Sequence, residues 1–144
     1  MKKRIAFDLD ETLGTAISDG YNIVGFNIRQ GCLELLNFIS SQHELVLWTV
    51  SNRSYLNKVL NYHNLANYFS ETYAWEDVKE KWKDVRRFHL DLLIDDSNYH
   101  KQQAKQYAIE HRYIIIPEYG SPQDNSDSLL WTKLVRQAIK HISK

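Results

Sequence analysis

Two aspartates two positions apart, Asp8 and Asp10, follow the apolar run Ile5-Ala6-Phe7, and the hydroxyl of Thr12 comes two positions later. In an extended segment side chains alternate faces, so these three can project to one side while the strand persists. Two carboxylates held this close repel each other, and a divalent cation is the usual remedy. Taken alone, the same residues also describe a solvated turn whose Asp and Thr side chains satisfy nearby backbone groups. What favours chemistry is a second acidic cluster, Asp95-Asp96-Ser97-Asn98, placed at the end of another apolar run, Leu90 to Ile94. A third run, Glu44 to Trp48, ends in Thr49-Val50-Ser51-Asn52. Hydroxyls and an amide just before a helix can cap it, and together with the free amides of the helix start they can also hold an anion.

The elements that must position these residues alternate in type. Ile5-Ala6-Phe7 reads as a short buried strand, and residues 15–28 as a small β-hairpin or flap after the turn signal Asp19-Gly20. Gln30 to His43 reads as a helix with Leu33, Leu36 and Ile39 on one stripe. Glu44 to Trp48 is the continuous apolar strand of a doubly covered parallel sheet, followed by a helix carrying Tyr55, Leu56, Val59 and Leu60. A short strand and loop cover residues 68–75, and the charge-dense segment Glu76 to Arg87 reads as a solvated helix face. Beyond the strand at Leu90 to Ile94, a helix is predicted from Tyr99 to Arg112 and a strand over Tyr113 to Ile116. A turn-rich loop, Glu118 to Asp127, then precedes an amphipathic helix from Leu129 to Ile142. Strands alternating with helices predict an α/β fold, a three-layer Rossmann-like parallel sheet with helices on both faces. Right-handed crossovers would bring Asp8 and Asp10, Thr49, and Asp95 and Asp96 to one sheet edge, where such folds build their sites.

The totals set bounds. A chain of 144 residues without repeats or low-complexity tracts is expected to form a single domain over 1–144. Eighteen basic residues balance eighteen acidic ones, which argues against a polyanion binder driven by bulk charge. The one cysteine, Cys32, excludes an internal disulfide and a cysteine-rich zinc site, and reads as a small buried hydrophobe. The basic start Met1-Lys2-Lys3-Arg4 is followed by too few apolar residues for a signal peptide, and no run could span a membrane. A soluble cytoplasmic protein is expected. The six histidines lack metal-ligand spacing, and Trp48, Trp75, Trp82 and Trp131 read as core or rim packing.

Asp8-Leu9-Asp10-Glu11-Thr12-Leu13, Thr49 after a hydrophobic strand, an upstream lysine, and Asp95-Asp96 after another strand resemble, in order, the four motifs of the haloacid dehalogenase superfamily of phosphohydrolases. Finer strings resemble its branch of carboxy-terminal-domain phosphatases and NLI-interacting-factor relatives: Arg29-Gln30-Gly31, Glu44 through Ser51, and Lys83-Asp84-Val85. The chain departs from that pattern at Gln30, where proline is common, and at Asp96, where asparagine is frequent, and its lysine-to-acid segment is shorter.

The resemblance implies a HAD-like phosphatase in which Mg²⁺ is bound by Asp8, the backbone carbonyl of Asp10, and Asp95 or Asp96. Asp8 would be the nucleophile, forming an aspartyl-phosphate, and Asp10 the general acid and base. Thr49 would hydrogen-bond a phosphoryl oxygen with Ser51 and Asn52 nearby, and a lysine would offset charge on the transferring group. Lys83 matches the Lys-Asp-Val string, with Lys79 and Lys81 as rivals, and Thr12 is expected to orient the loop. The spacing of the motifs leaves no room for a cap domain, so the expected substrate is bulky: a phosphorylated protein segment or a nucleic-acid end. The alternatives are a small-molecule phosphatase closed by an oligomeric neighbour and a catalytically silent binding module. Nucleic-acid binding through Lys79, Lys81, Lys83, Arg86 and Arg87 is weakened by the interleaved acids.

Overall fold

Ile5, Ala6 and Phe7 are all fully buried, because the strand they form is covered on both faces and paired on both edges. This strand, β1 (Arg4–Phe7), is the centre of a five-stranded sheet in a computed structural model that describes residues 2–144; Met1 of the basic start lies outside the described residues. On one side β1 pairs in parallel with β4 (Glu44–Trp48), which pairs with β5 (Glu71–Tyr73); on the other it pairs with β6 (Leu92–Asp95), which pairs with β7 (Tyr113–Ile115). All four pairings are parallel, as continuous apolar strands separated by helices require.

Side-chain alternation divides the core in two. Ile5, Phe7, Leu45, Leu47, Leu92 and Ile94 face a layer that includes α1 (Cys32–Ser40), α2 (Arg53–Leu60) and α6 (Leu130–Ile142). Ala6, Val46, Trp48 and Leu93 face the other way, onto Val85, Leu90, Ala104 and Tyr113. In α6, the buried residues Trp131, Val135 and Ile139 recur every four positions, the spacing of one helical face. Cys32 is buried among these helices, and burial pushes its thiol up to about 12.

Between β1 and β4 lie only α1 and a hairpin of β2 (Gly14–Ser18) and β3 (Ile23–Ile28); no cap domain is inserted there or between β4 and β6. Gly14 sits where an added Cβ would stand 2.0 Å from the Asn27 carbonyl oxygen, so the hairpin can close only with glycine at that position.

Three segments differ from the sequence expectation. The charged stretch 76–87 is not a helix. A single turn, α3 (Trp75–Val78), stops at Lys79 in the left-handed region, residues 79–84 run without regular structure, and a 3₁₀ turn spans Val85–Phe88. Val78, Trp82 and Val85 do recur at helical spacing, but the chain turns left-handed at Lys79 and breaks the helix there, and the charges pair locally: Arg86 with Asp84 and Arg87 with Glu80. Likewise the helix predicted over 99–112 ends early. α4 covers Tyr99–Ala104 and gives way to 3₁₀ turns around the left-handed Ala108. A short helix, α5 (Pro122–Ser126), capped by the Ser121 hydroxyl, occupies the loop expected between residues 118 and 127.

α5 carries Asp124, whose carboxylate meets the buried guanidinium of Arg29 at 2.9 Å; the same Arg29 donates to the carbonyls of Thr12 and Pro117 and lies over the Trp131 ring. Removing one partner of a buried pair strands the other charge. Asp124→Ala should therefore lower the unfolding free energy by about 3–5 kcal/mol in urea titrations. A loss under about 1 kcal/mol would show that Arg29 is not held by this pair.

Candidate active site

At the carboxyl edge of the sheet the register brings Asp8 level with Asp95, since Phe7 pairs with Ile94 and the Asp8 amide donates to the Ile94 carbonyl at 2.9 Å. The alternation that sends Ala6 and Leu93 to one face also sends Asp8 and Asp95 there, toward the 79–84 loop and α4. Lys83 fills that space. Its ammonium, on a side chain 1% exposed, lies 2.7 Å from Asp8 Oδ1 and 3.2 Å from Asp95 Oδ2.

After Asp8 the chain turns sharply. Glu11 adopts the left-handed region, while the amides of Thr12 and Leu13 donate back to the Leu9 carbonyl. That turn returns the fully buried Thr12 toward the strand end, with its hydroxyl 3.2 Å from Asp8 Oδ2 and 3.1 Å from Asp96 Oδ1. A hydroxyl has one proton, so it serves one carboxylate at a time. Carboxylate oxygens of Asp8, Asp95 and Asp96 all lie within 4.8 Å of one another.

Asp10 faces a different set. Its carboxylate accepts from the Tyr55 hydroxyl and lies 3.4 Å from the Ser51 hydroxyl. Thr49 is buried just past β4, its hydroxyl accepting the Ser51 amide at 3.1 Å, which leaves its own proton free to donate elsewhere. Asn52 is exposed and caps α2 through the Tyr55 amide at 2.8 Å. Asp8, Lys83, Asp95 and Asp96 thus form one cluster, joined at its edge by Asp10, Ser51 and Thr49, while Asn52 serves the helix. Lys79 and Lys81 are exposed, with the Lys81 ammonium over the Tyr99 ring.

Two neighbours of the site were not picked out from sequence. Tyr55 had a signal, being on the first turn of the helix that follows β4. His100 had none. It is buried, its Nδ1 accepts the Lys83 amide at 3.0 Å, and its Nε2 stands 3.6 Å from Asp95 Oδ2.

Three carboxylates face one ammonium. Burial raises the Asp8 carboxyl above its ordinary value, with Lys83 opposing and Asp95 adding to the rise. Burial also raises Asp10, against the Tyr55 hydrogen bond. Asp96 is pushed up to about 7 by burial and by the charges of Asp8 and Asp95. Burial lowers the Lys83 pKa, but Asp8 and Asp95 override it and hold the ammonium above the ordinary lysine value. His100 is driven down to about 3 by burial and by the Lys83 charge, so it is neutral. An all-oxygen donor set with uncompensated negative charge suits a hard divalent cation.

A five-stranded parallel sheet with paired acids at the carboxyl end of its central strand defines a Rossmann-like α/β fold of the haloacid dehalogenase type. Within that class, the family described as NLI interacting factor-like phosphatase matches residues 3–136, and the chain belongs to that family. Among solved structures, Fcp1, titled an essential RNA polymerase II CTD phosphatase, has a TM-score of 0.64 at 18% identity, covering 97% of this chain and 52% of its own. A fission yeast Fcp1 variant bound to beryllium fluoride gives 0.61 at 17%, covering 97% and 54%. A HAD-superfamily hydrolase from Geobacter sulfurreducens gives 0.60 at 12%, covering 88% and 99%. The chain spans about half the length of the Fcp1 structures it matches. Comparison with curated protein sequences finds no match. Among the described residues, no helix is long and apolar enough to cross a membrane.

An acid whose folded pKa is raised binds its proton more tightly when folded, so its stabilising contribution is lost as pH rises through the folded value. For Asp96 that loss runs from the ordinary aspartate value up to about 7, while His100, held neutral, opposes folding as pH falls through the ordinary histidine value. In EDTA, the urea midpoint of the parent should therefore gain on that of Asp96→Asn on going from about pH 8 to about pH 6.5, the histidine contribution being common to both. Parallel profiles would remove Asp96 as the titrating group.

Proposed function

We propose that the chain is a Mg²⁺-dependent phosphohydrolase that cleaves a phosphate monoester through an aspartyl-phosphate on Asp8. The observation that carries this reading is the Asp8 carboxylate itself, 2.7 Å from the Lys83 ammonium and clustered with Asp95 and Asp96. Asp8, Asp95 and Asp96, with the Asp10 backbone carbonyl, would hold Mg²⁺. The ion would supply the positive charge that lets an anionic carboxylate approach an anionic ester.

In the first step an Asp8 carboxylate oxygen attacks phosphorus, the bond to the ester oxygen breaks, and the Asp10 carboxyl gives its proton to the departing oxygen. Its raised pKa suits Asp10 to carry that proton. In the second, water attacks the same phosphorus, the bond to Asp8 breaks, and Asp10 takes the proton back. Lys83 offsets charge on the transferring group, and the Thr49 and Ser51 hydroxyls donate to phosphoryl oxygens. Asn52 contributes by fixing the start of α2 rather than by contact.

The substrate is bulky and phosphorylated, and a phosphoprotein segment fits best. Nothing inserted between the motifs covers the site, and the adjacent hairpin exposes apolar side chains, Tyr21 at 94% and Val24 at 53%. A nucleic-acid end is less well supported, because Arg86 and Arg87 are paired with acids and Lys81 lies over Tyr99.

The test is phosphate release from p-nitrophenyl phosphate with Mg²⁺ or EDTA. Asp8→Asn should keep the circular dichroism of the parent and lose on the order of 10³-fold or more in rate. Release that is unchanged in Asp8→Asn, or absent from the parent with Mg²⁺, would overturn the proposal.

A further inference from the structure

Lys83 belongs to a stretch with no helix or strand, residues 79–84, yet its ammonium must stay within hydrogen-bond reach of both Asp8 and Asp95. Lys83 is itself buried, and outside helix and strand it has no ladder to satisfy its main chain, so side chains must do it. Two buried residues do so here. His100 Nδ1 accepts the Lys83 amide at 3.0 Å, and the Tyr113 hydroxyl donates to the Lys83 carbonyl at 2.7 Å while accepting the Val85 amide at 3.0 Å. The Trp82 indole, donating to the His100 carbonyl at 3.2 Å, ties the same loop to α4. An amide can only donate, so Nδ1 must be the acceptor and the proton of the neutral ring sits on Nε2. That nitrogen stands 3.6 Å from Asp95 Oδ2, the oxygen that Lys83 Nζ also approaches.

We infer that His100 and Tyr113 are positioning residues that seat Lys83 against Asp8 and Asp95. They act through Lys83, and neither touches the phosphoryl group. The mechanistic half of this inference rests on the phosphohydrolase reading; the anchoring half does not.

The experiment compares His100→Phe, which keeps ring size but removes both nitrogens, with His100→Asn, whose amide oxygen can replace Nδ1 as acceptor. His100→Phe should lower kcat for p-nitrophenyl phosphate about 10–100-fold with KM nearly unchanged. His100→Asn should recover most of that loss. In a Lys83→Met background His100→Phe should cost nothing further, because the residue it acts through is gone. An additive loss in that background, or an unchanged kcat in His100→Phe, would overturn the role. Tyr113→Phe, which removes only a hydroxyl, provides the same kinetic comparison if His100→Phe fails to fold. A second readout does not depend on turnover: the Lys83 amide in His100→Phe, and the Val85 amide in Tyr113→Phe, should exchange with solvent at least about tenfold faster than in the parent. Unchanged exchange would refute the anchoring even if the protein hydrolysed nothing.

Discussion

The ammonium of Lys83 is buried, and an isolated charge at that depth is costly enough that the fold must neutralise it. Asp8 and Asp95 do so, and they stand together only because β1 and β6 are neighbours in register. The dependence runs both ways. Without the lysine, three carboxylates would crowd one sheet edge with no cation among them; without the acids, the lysine could not remain charged in the interior. Sheet order, strand register and the path of an irregular loop all converge on this contact.

A second buried cation holds the other side of the same turn. Arg29 donates to the Thr12 carbonyl and to the Pro117 carbonyl and pairs with Asp124, so the segment from Asp8 to Thr12 is gripped by Lys83 at its start and Arg29 at its end. The Glu11 amide and carbonyl add further ties, to Gly14 and to the Tyr119 amide. A left-handed Glu11 costs about 1–2 kcal/mol, and these ties hold it. The turn is therefore preorganised, which suits a group that must meet substrate at one geometry.

The two faces of the site differ in character. On one lie Asp8, Asp95, Asp96 and Lys83, where burial and neighbouring charge keep Asp8 and Asp96 reluctant to ionise. On the other lie Asp10, Ser51, Thr49 and Tyr55, where hydroxyl groups surround a single carboxylate. Two acids only two positions apart thus see unlike surroundings, the condition under which equivalent side chains can take separate roles.

Sequence by itself determined the strand cores and the acids that end them. Ile5 to Phe7 and Leu92 to Ile94 are apolar throughout, so each had to be buried on both faces, and an aspartate directly after such a run falls at a sheet edge. The hairpin and the terminal helix were legible for the same reason: their patterning is local and periodic. What only the tertiary structure decided was everything set by closure between distant segments. The charged stretch around Lys83 has Val78, Trp82 and Val85 at helical spacing, which does not reveal its loop path, so nothing local separates Lys83 from Lys81 by burial. His100 and Tyr113 meet Lys83 across 17 and 30 residues, and Arg29 meets Asp124 across 95. Spacing along a chain encodes which face a side chain takes; which partner waits on that face depends on how the layers pack.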